Sequence, residues 1–95
     1  MTKEAVIEIL KKHKPIMQKK YGLTELALFG SYSRNEQNDN SDIDLLVDFN
    51  LAPGLNYFDM LYEFDDLFEN EVQIISKKAI KPKYLTAIQE DLIYV

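Results

Sequence analysis

FGSYSRNEQNDNSDIDLLV, residues 29–47, is the stretch that decides the fold. From Ile43 to Phe49 the pattern alternates, with Ile43, Leu45, Val47 and Phe49 on one face and Asp42, Asp44, Leu46 and Asp48 on the other. Successive side chains on extended backbone point to opposite faces, so this segment predicts a strand with one apolar face. Just before the stretch, Glu25 to Phe29 is a short apolar run ending at Gly30, which predicts a buried strand. Between the two lies Ser31 to Ser41, rich in Ser, Asn and Asp and without a hydrophobic stripe. Such composition predicts a loop, opening with a helical turn.

Towards the N-terminus, Val6, Ile9, Leu10 and Met17 recur at helical spacing among lysines. Pro15 cannot donate a backbone N–H and disfavours helix in the residue before it, which predicts one helix to about Lys14 and a short second one from Pro15, stopped by Gly22. Towards the C-terminus, Pro53-Gly54 predicts a turn, and Tyr57, Phe58, Leu61, Phe64, Leu67 and Phe68 form an apolar stripe at helical spacing. Val72 to Ile75 predicts a third strand, and Pro82 opens a last helix carrying Leu85 and Ile88. A helix between the second and third strands makes them parallel, while the short first link permits an antiparallel pair. The expected architecture is therefore α/β, a small mixed β-sheet with flanking helices, in one domain over residues 1–95.

Hydrophobic residues make up 46% of the 95 and charged residues 28%, the usage of a folded globular chain rather than a disordered one. Without cysteine there is neither a disulfide framework nor a Cys-based zinc site. The longest apolar runs span only a few residues and Lys3, Glu4, Glu8, Lys11 and Lys12 interrupt the start, which excludes a transmembrane helix and a signal peptide and leaves the cytoplasm as the simplest location. A net charge of −5 argues against a protein that grips nucleic acid through bulk electrostatics. The charge is unevenly spread: residues 36–71 hold eleven acids and no base, whereas residues 1–35 hold seven bases and three acids. Such a block is either a solvated acidic face or a surface that meets cations, whether metal ions or a basic partner.

Chemistry concentrates in Gly30-Ser31, a ten-residue spacer, and Asp42-Ile43-Asp44. Glycine at a strand end lets a phosphate approach the backbone, and the serine adds a hydroxyl and an N–H. Arg34 can add a guanidinium. Asp42 and Asp44, two apart on a strand, project from one face about 6.6 Å apart along the backbone, close enough for both carboxylates to lean toward one hard cation. Each part alone has a plain structural reading, since Gly-Ser makes turns and Asp-x-Asp gives a strand a polar face. Their combination at the ends of adjacent strands is the specific signal.

Gly30-Ser31, the spacer and Ser41-Asp42-Ile43-Asp44-Leu45-Leu46-Val47 resemble the signature of the polymerase-β-type nucleotidyltransferase superfamily, and most closely its minimal branch, the MNT proteins. The likeness runs through Tyr21-Gly22, the aromatic helix after Pro53 and the segment from Lys81-Pro82 to Val95. It implies the polymerase-β-like fold and transfer of AMP from ATP, with Mg2+, onto a hydroxyl of a helical HEPN toxin for which the MNT protein is the antitoxin. It also implies that Gly30, Ser31 and Arg34 hold the nucleotide, while Asp42 and Asp44 are the catalytic, metal-holding carboxylates.

One part of the pattern is missing. Where the family has a third carboxylate, in the strand after the aromatic helix, this chain has Val72-Gln73-Ile74. An amide oxygen ligates a metal weakly and cannot take a proton from an attacking hydroxyl at neutral pH. Glu71, two residues earlier on the same strand face, is the candidate substitute, and Asp65 and Asp66 on the aromatic helix read as solvated. The rival reading is a non-catalytic protein that keeps the fold and neutralises its partner by binding. A stand-alone enzyme acting on a small molecule ranks third, because 95 residues leave no room for an acceptor-binding domain. His13, the single histidine, reads as a boundary residue of the first helix, and Tyr62 and Tyr94 as more apolar surface than so small a core covers.

Overall fold

The computed structural model describes residues 1–50 and 56–95. Its elements run α1 (Lys3–Tyr21), β1 (Leu23–Phe29), α2 (Gly30–Ser33), β2 (Ile43–Phe49), α3 (Tyr57–Asp66), β3 (Val72–Ser76), α4 (Pro82–Ile88), a 3-10 turn (Gln89–Asp91) and β4 (Ile93–Tyr94). The strands form one mixed sheet in the order β3-β2-β1-β4. As the connections required, β1 and β2 are antiparallel and β2 and β3 parallel. The turn expected at Pro53-Gly54 lies outside the described residues. Among the described residues no helix is long and apolar enough to cross a membrane.

The alternation of β2 sorts the core into two clusters. Ile43, Leu45 and Val47 pack with Leu26 and Leu28 of β1 beneath Val6, Leu10, Met17 and Tyr21 of α1 and Met60 and Phe64 of α3. Leu46 faces the other way and joins Ala27, Phe29 and Ile88 under α4. Asp42 and Asp44 share that second face, which a seven-residue helix covers only in part.

α1 does not split at Pro15 as the sequence predicted; it is one helix of 19 residues with the proline inside. Its buried residues Val6, Leu10, Met17 and Tyr21 recur at steps of four and seven on both sides of Pro15, so one continuous stripe on the sheet holds the two halves in register. Pro15 itself is exposed, and the helix gives up the amide bond to the Lys11 carbonyl there. Pro15→Ala restores that bond and should raise stability by about 1–3 kcal/mol, or roughly 4–8 °C in melting temperature per kcal/mol, in a thermal melt. The helix starts where the Thr2 hydroxyl accepts from the Ala5 N–H at 3.1 Å. It ends at Gly22, whose φ of 70° is left-handed and whose missing Cβ leaves room for the Asn50 carbonyl.

Two further expectations change. β4 has no counterpart in the sequence reading; Ile93 and Tyr94 pair antiparallel with Leu28 and Ala27 of β1. Phe58, placed in the α3 stripe by its spacing, is 61% exposed, because the buried side of α3 is set by Met60 and Phe64. Tyr62 and Tyr94 are exposed as expected, at 68% and 52%. His13 is half-buried on α1.

Candidate active site

The site forms where β1 ends and β2 begins. Phe29 pairs with Asp44, so Gly30 is carried directly over the Asp44 side chain. Gly30 has a φ of 75°, and a Cβ there would collide with the Asp44 carboxylate. Only glycine meets both demands, backbone conformation and close approach. Asp44 is half-buried; burial, and after it the neighbouring charge of Asp42, push its carboxyl up, with Arg34 acting in the opposite sense. As a bare anion Asp44 is therefore disfavoured, and a cation beside it would relieve the carboxylate. Two carboxylates on one strand face are the hard oxygen donors that Mg2+ takes, so the residues present fit a divalent ion.

Gln73 of β3 stands opposite Asp44 in the parallel register and donates from Nε2 to Asp42 Oδ2 at 3.2 Å. Glu71 lies exposed immediately before β3, where its carbonyl accepts from the Ile43 N–H at 2.9 Å. Among the described residues no third Asp, Glu, His or Cys joins Asp42 and Asp44 in a group able to hold a metal ion. Asp65 and Asp66 are exposed on α3.

The spacer is ordered by its own polar side chains. Asn38 Oδ1 accepts from the Asn40 N–H at 2.8 Å, and Ser41 Oγ accepts from the Asn38 N–H at 2.9 Å. Asn70 then fastens the loop, donating from Nδ2 to the Ser41 carbonyl at 3.1 Å and to the Tyr32 hydroxyl at 3.2 Å. Tyr32 is a buried residue of α2, so this amide connects the Gly-Ser turn with the residue before Asp42. On the other side, the Ser33 hydroxyl donates to the Asp91 carbonyl, and Arg34 ion-pairs with Asp91 at 2.6 Å and Glu36 at 3.1 Å. The guanidinium foreseen on a phosphate is thus held by two carboxylates at the rim. Ser31 is half-buried.

Sequence reasoning missed Asn70, Ser33 and Asp91. The partners of Asn70 lie 38 and 29 residues away and those of Asp91 57 and 58 away, so no local spacing advertises them.

The family model for the nucleotidyltransferase domain matches residues 10–95, the whole of the site included. The chain belongs to that family. This nucleotidyltransferase is 47% identical over 90 residues to a Methanocaldococcus jannaschii protein provisionally named a protein adenylyltransferase, covering 93% of this chain and 92% of that one. It is 33% identical over 96 residues to protein adenylyltransferase MntA of Thermococcus cleftensis, covering 100% and 97%. Among solved structures, one described provisionally as a minimal nucleotidyltransferase superposes with a TM-score of 0.78 at 23% identity, over 98% of this chain and 95% of that one. A toxin–antitoxin structure with AMP-PNP gives a TM-score of 0.57 at 22% identity, over 96% and 78%. The nucleotidyltransferase therefore has the polymerase-β-like fold, as the motif implied.

Proposed function

We propose that this nucleotidyltransferase moves AMP from ATP to a hydroxyl of a partner protein, slowly, and acts as the antitoxin of a HEPN-type toxin. The observation that carries the reading is Gly30 seated against Asp44 with Asp42 beside it, in a chain whose relatives are named protein adenylyltransferases. The acceptor hydroxyl attacks the α-phosphorus; a new O–P bond forms, the bond to pyrophosphate breaks, and the hydroxyl proton passes to solvent. Gly30, lacking a side chain, lets the phosphates approach the backbone, and the Ser31 hydroxyl and N–H donate to them. Arg34 adds its charge once it leaves Asp91. Asp42 and Asp44 would hold Mg2+, which when bound offsets the charge developing on the phosphates. Gln73 cannot accept the proton, so the step goes without a general base on β3.

Phe58 and Tyr62, one helical turn apart on α3 and both exposed, support a protein as the acceptor. The acids around them, Asp59, Asp65 and Asp66, favour a basic one whose association weakens as salt rises.

The test uses the complex purified with its co-expressed partner and ATP labelled at the α-phosphorus. Slow Mg2+-dependent labelling of the partner is the expected result. The Gln73–Asp42 hydrogen bond favours a second reading, a binding protein that holds nucleotide without transferring it. No labelling, together with a melting temperature raised by ATP and Mg2+, would select that reading. Neither labelling nor a thermal shift would overturn both.

A further inference from the structure

We infer that the site takes one divalent cation with its nucleotide rather than a pair, and that Gln73 is the residue that excludes the second. This rests on the nucleotidyl-transfer reading of the same pocket. Two dications about 3.5–4 Å apart, the arrangement that clamps both the attacking and the leaving oxygen, place four positive charges in a small volume and need anionic oxygens between and around them. The protein supplies two negative charges, Asp42 and Asp44, which match one dication, and among the described residues no third Asp, Glu, His or Cys joins them.

The orientation of Gln73 sharpens the point. It occupies the strand position across from Asp44, where a third carboxylate would complete the set, and it presents its amide hydrogens to Asp42 at 3.2 Å. Facing a carboxylate, only the NH2 end of an amide is compatible, so the amide oxygen, the single atom of Gln73 able to ligate a cation, is turned away. Turning it inward breaks the bond to Asp42. That bond also occupies one of the Asp42 lone pairs with a neutral donor. Glu71, immediately before β3, does not fill the gap, since among the described residues it forms no group with Asp42 and Asp44 able to hold a metal ion. The cation that remains is the one held between Asp42, Asp44 and the triphosphate oxygens; a second ion, on the side of the attacking hydroxyl, would have no third protein carboxylate among the described residues.

Electron paramagnetic resonance of Mn2+ with α,β-methylene-ATP, a nucleotide that cannot be transferred, reads the number directly. Wild-type protein should bind one Mn2+ per nucleotide with an uncoupled signal that differs from that of the nucleotide alone. Gln73→Asp should bind two, giving the spin-coupled signal of a close pair, and Gln73→Leu should stay at one. A coupled pair in the wild type would overturn the inference and leave the proposed function standing. An uncoupled single ion in Gln73→Asp and also in Gln73→Glu, each confirmed folded by circular dichroism, would show that Gln73 is not the determinant and overturn it too. A nucleotide–Mn2+ signal unchanged by wild-type protein would refute the nucleotide site itself, and the inference with it.

Discussion

Asparagine at both Asp42 and Asp44 should abolish cation-dependent nucleotide binding and lower transfer by about 10³-fold or more, since in the proposed function the two carboxylates are the charge that would hold the cation on the phosphates. The fold should survive the change. Asp44 is half-buried and its carboxyl is pushed up by burial and by Asp42, so a neutral side chain of the same shape removes a repulsion from the cation-free protein. The expected signature is a pair of opposite shifts. Without ligand the double variant melts above the wild type, and with ATP and Mg2+ it shows no further rise. Calorimetry and thermal melts on one preparation read both. Wild-type affinity for the Mg2+–nucleotide complex in the double variant would remove Asp42 and Asp44 from the site.

Gln73→Asp should raise the rate of transfer by about 10²–10⁴-fold, whether the new carboxylate takes the hydroxyl proton itself or holds a second cation that activates the hydroxyl. Its position is favourable because β3 runs parallel to β2 with Gln73 opposite Asp44, so a carboxylate there enters the existing face of the sheet without rearrangement. The gain should appear only with Mg2+. In its absence a third acid beside Asp42 and Asp44 adds like-charge repulsion, and the variant should melt below the wild type. Labelling of the co-purified partner under single-turnover conditions is the measurement. Labelling by the wild type that is already fast and disappears in Glu71→Gln would mean that Glu71 provides the third carboxylate.

What the sequence made legible follows the range of the forces involved. The two-residue period of Ile43 to Phe49 set both the strand and the face on which Asp42 and Asp44 stand, because that period is a property of extended backbone alone. The connections around β2 then determined which neighbours are parallel. Pro15 misled because its local cost is real, but the stripe through Val6, Leu10, Met17 and Tyr21 buries enough against the sheet to outweigh it. Phe58 was assigned to the core from helical spacing, which leaves the edges of a stripe open until the packing partner is known. β4 is two residues long, too short for any periodicity. Within the site, Gly30, Asp42, Asp44 and Gln73 were all readable from the motif. Arg34 was readable as a charge but not as the partner of Asp91 and Glu36.

The clasp between α2 and the 3-10 turn bears on when the protein becomes competent. Ser33 and Arg34 are made 58 and 57 residues before the Asp91 that holds them. At translation speeds of about 5–20 residues per second, the Gly-Ser turn therefore waits roughly 3–12 s on the ribosome before its second support emerges. Until then β1 also lacks β4 along its outer edge. A nascent chain that already carries Gly30, Asp42 and Asp44 therefore has the candidate cradle before its rim, and the clasp onto Asp91 is among the last contacts of the site to form.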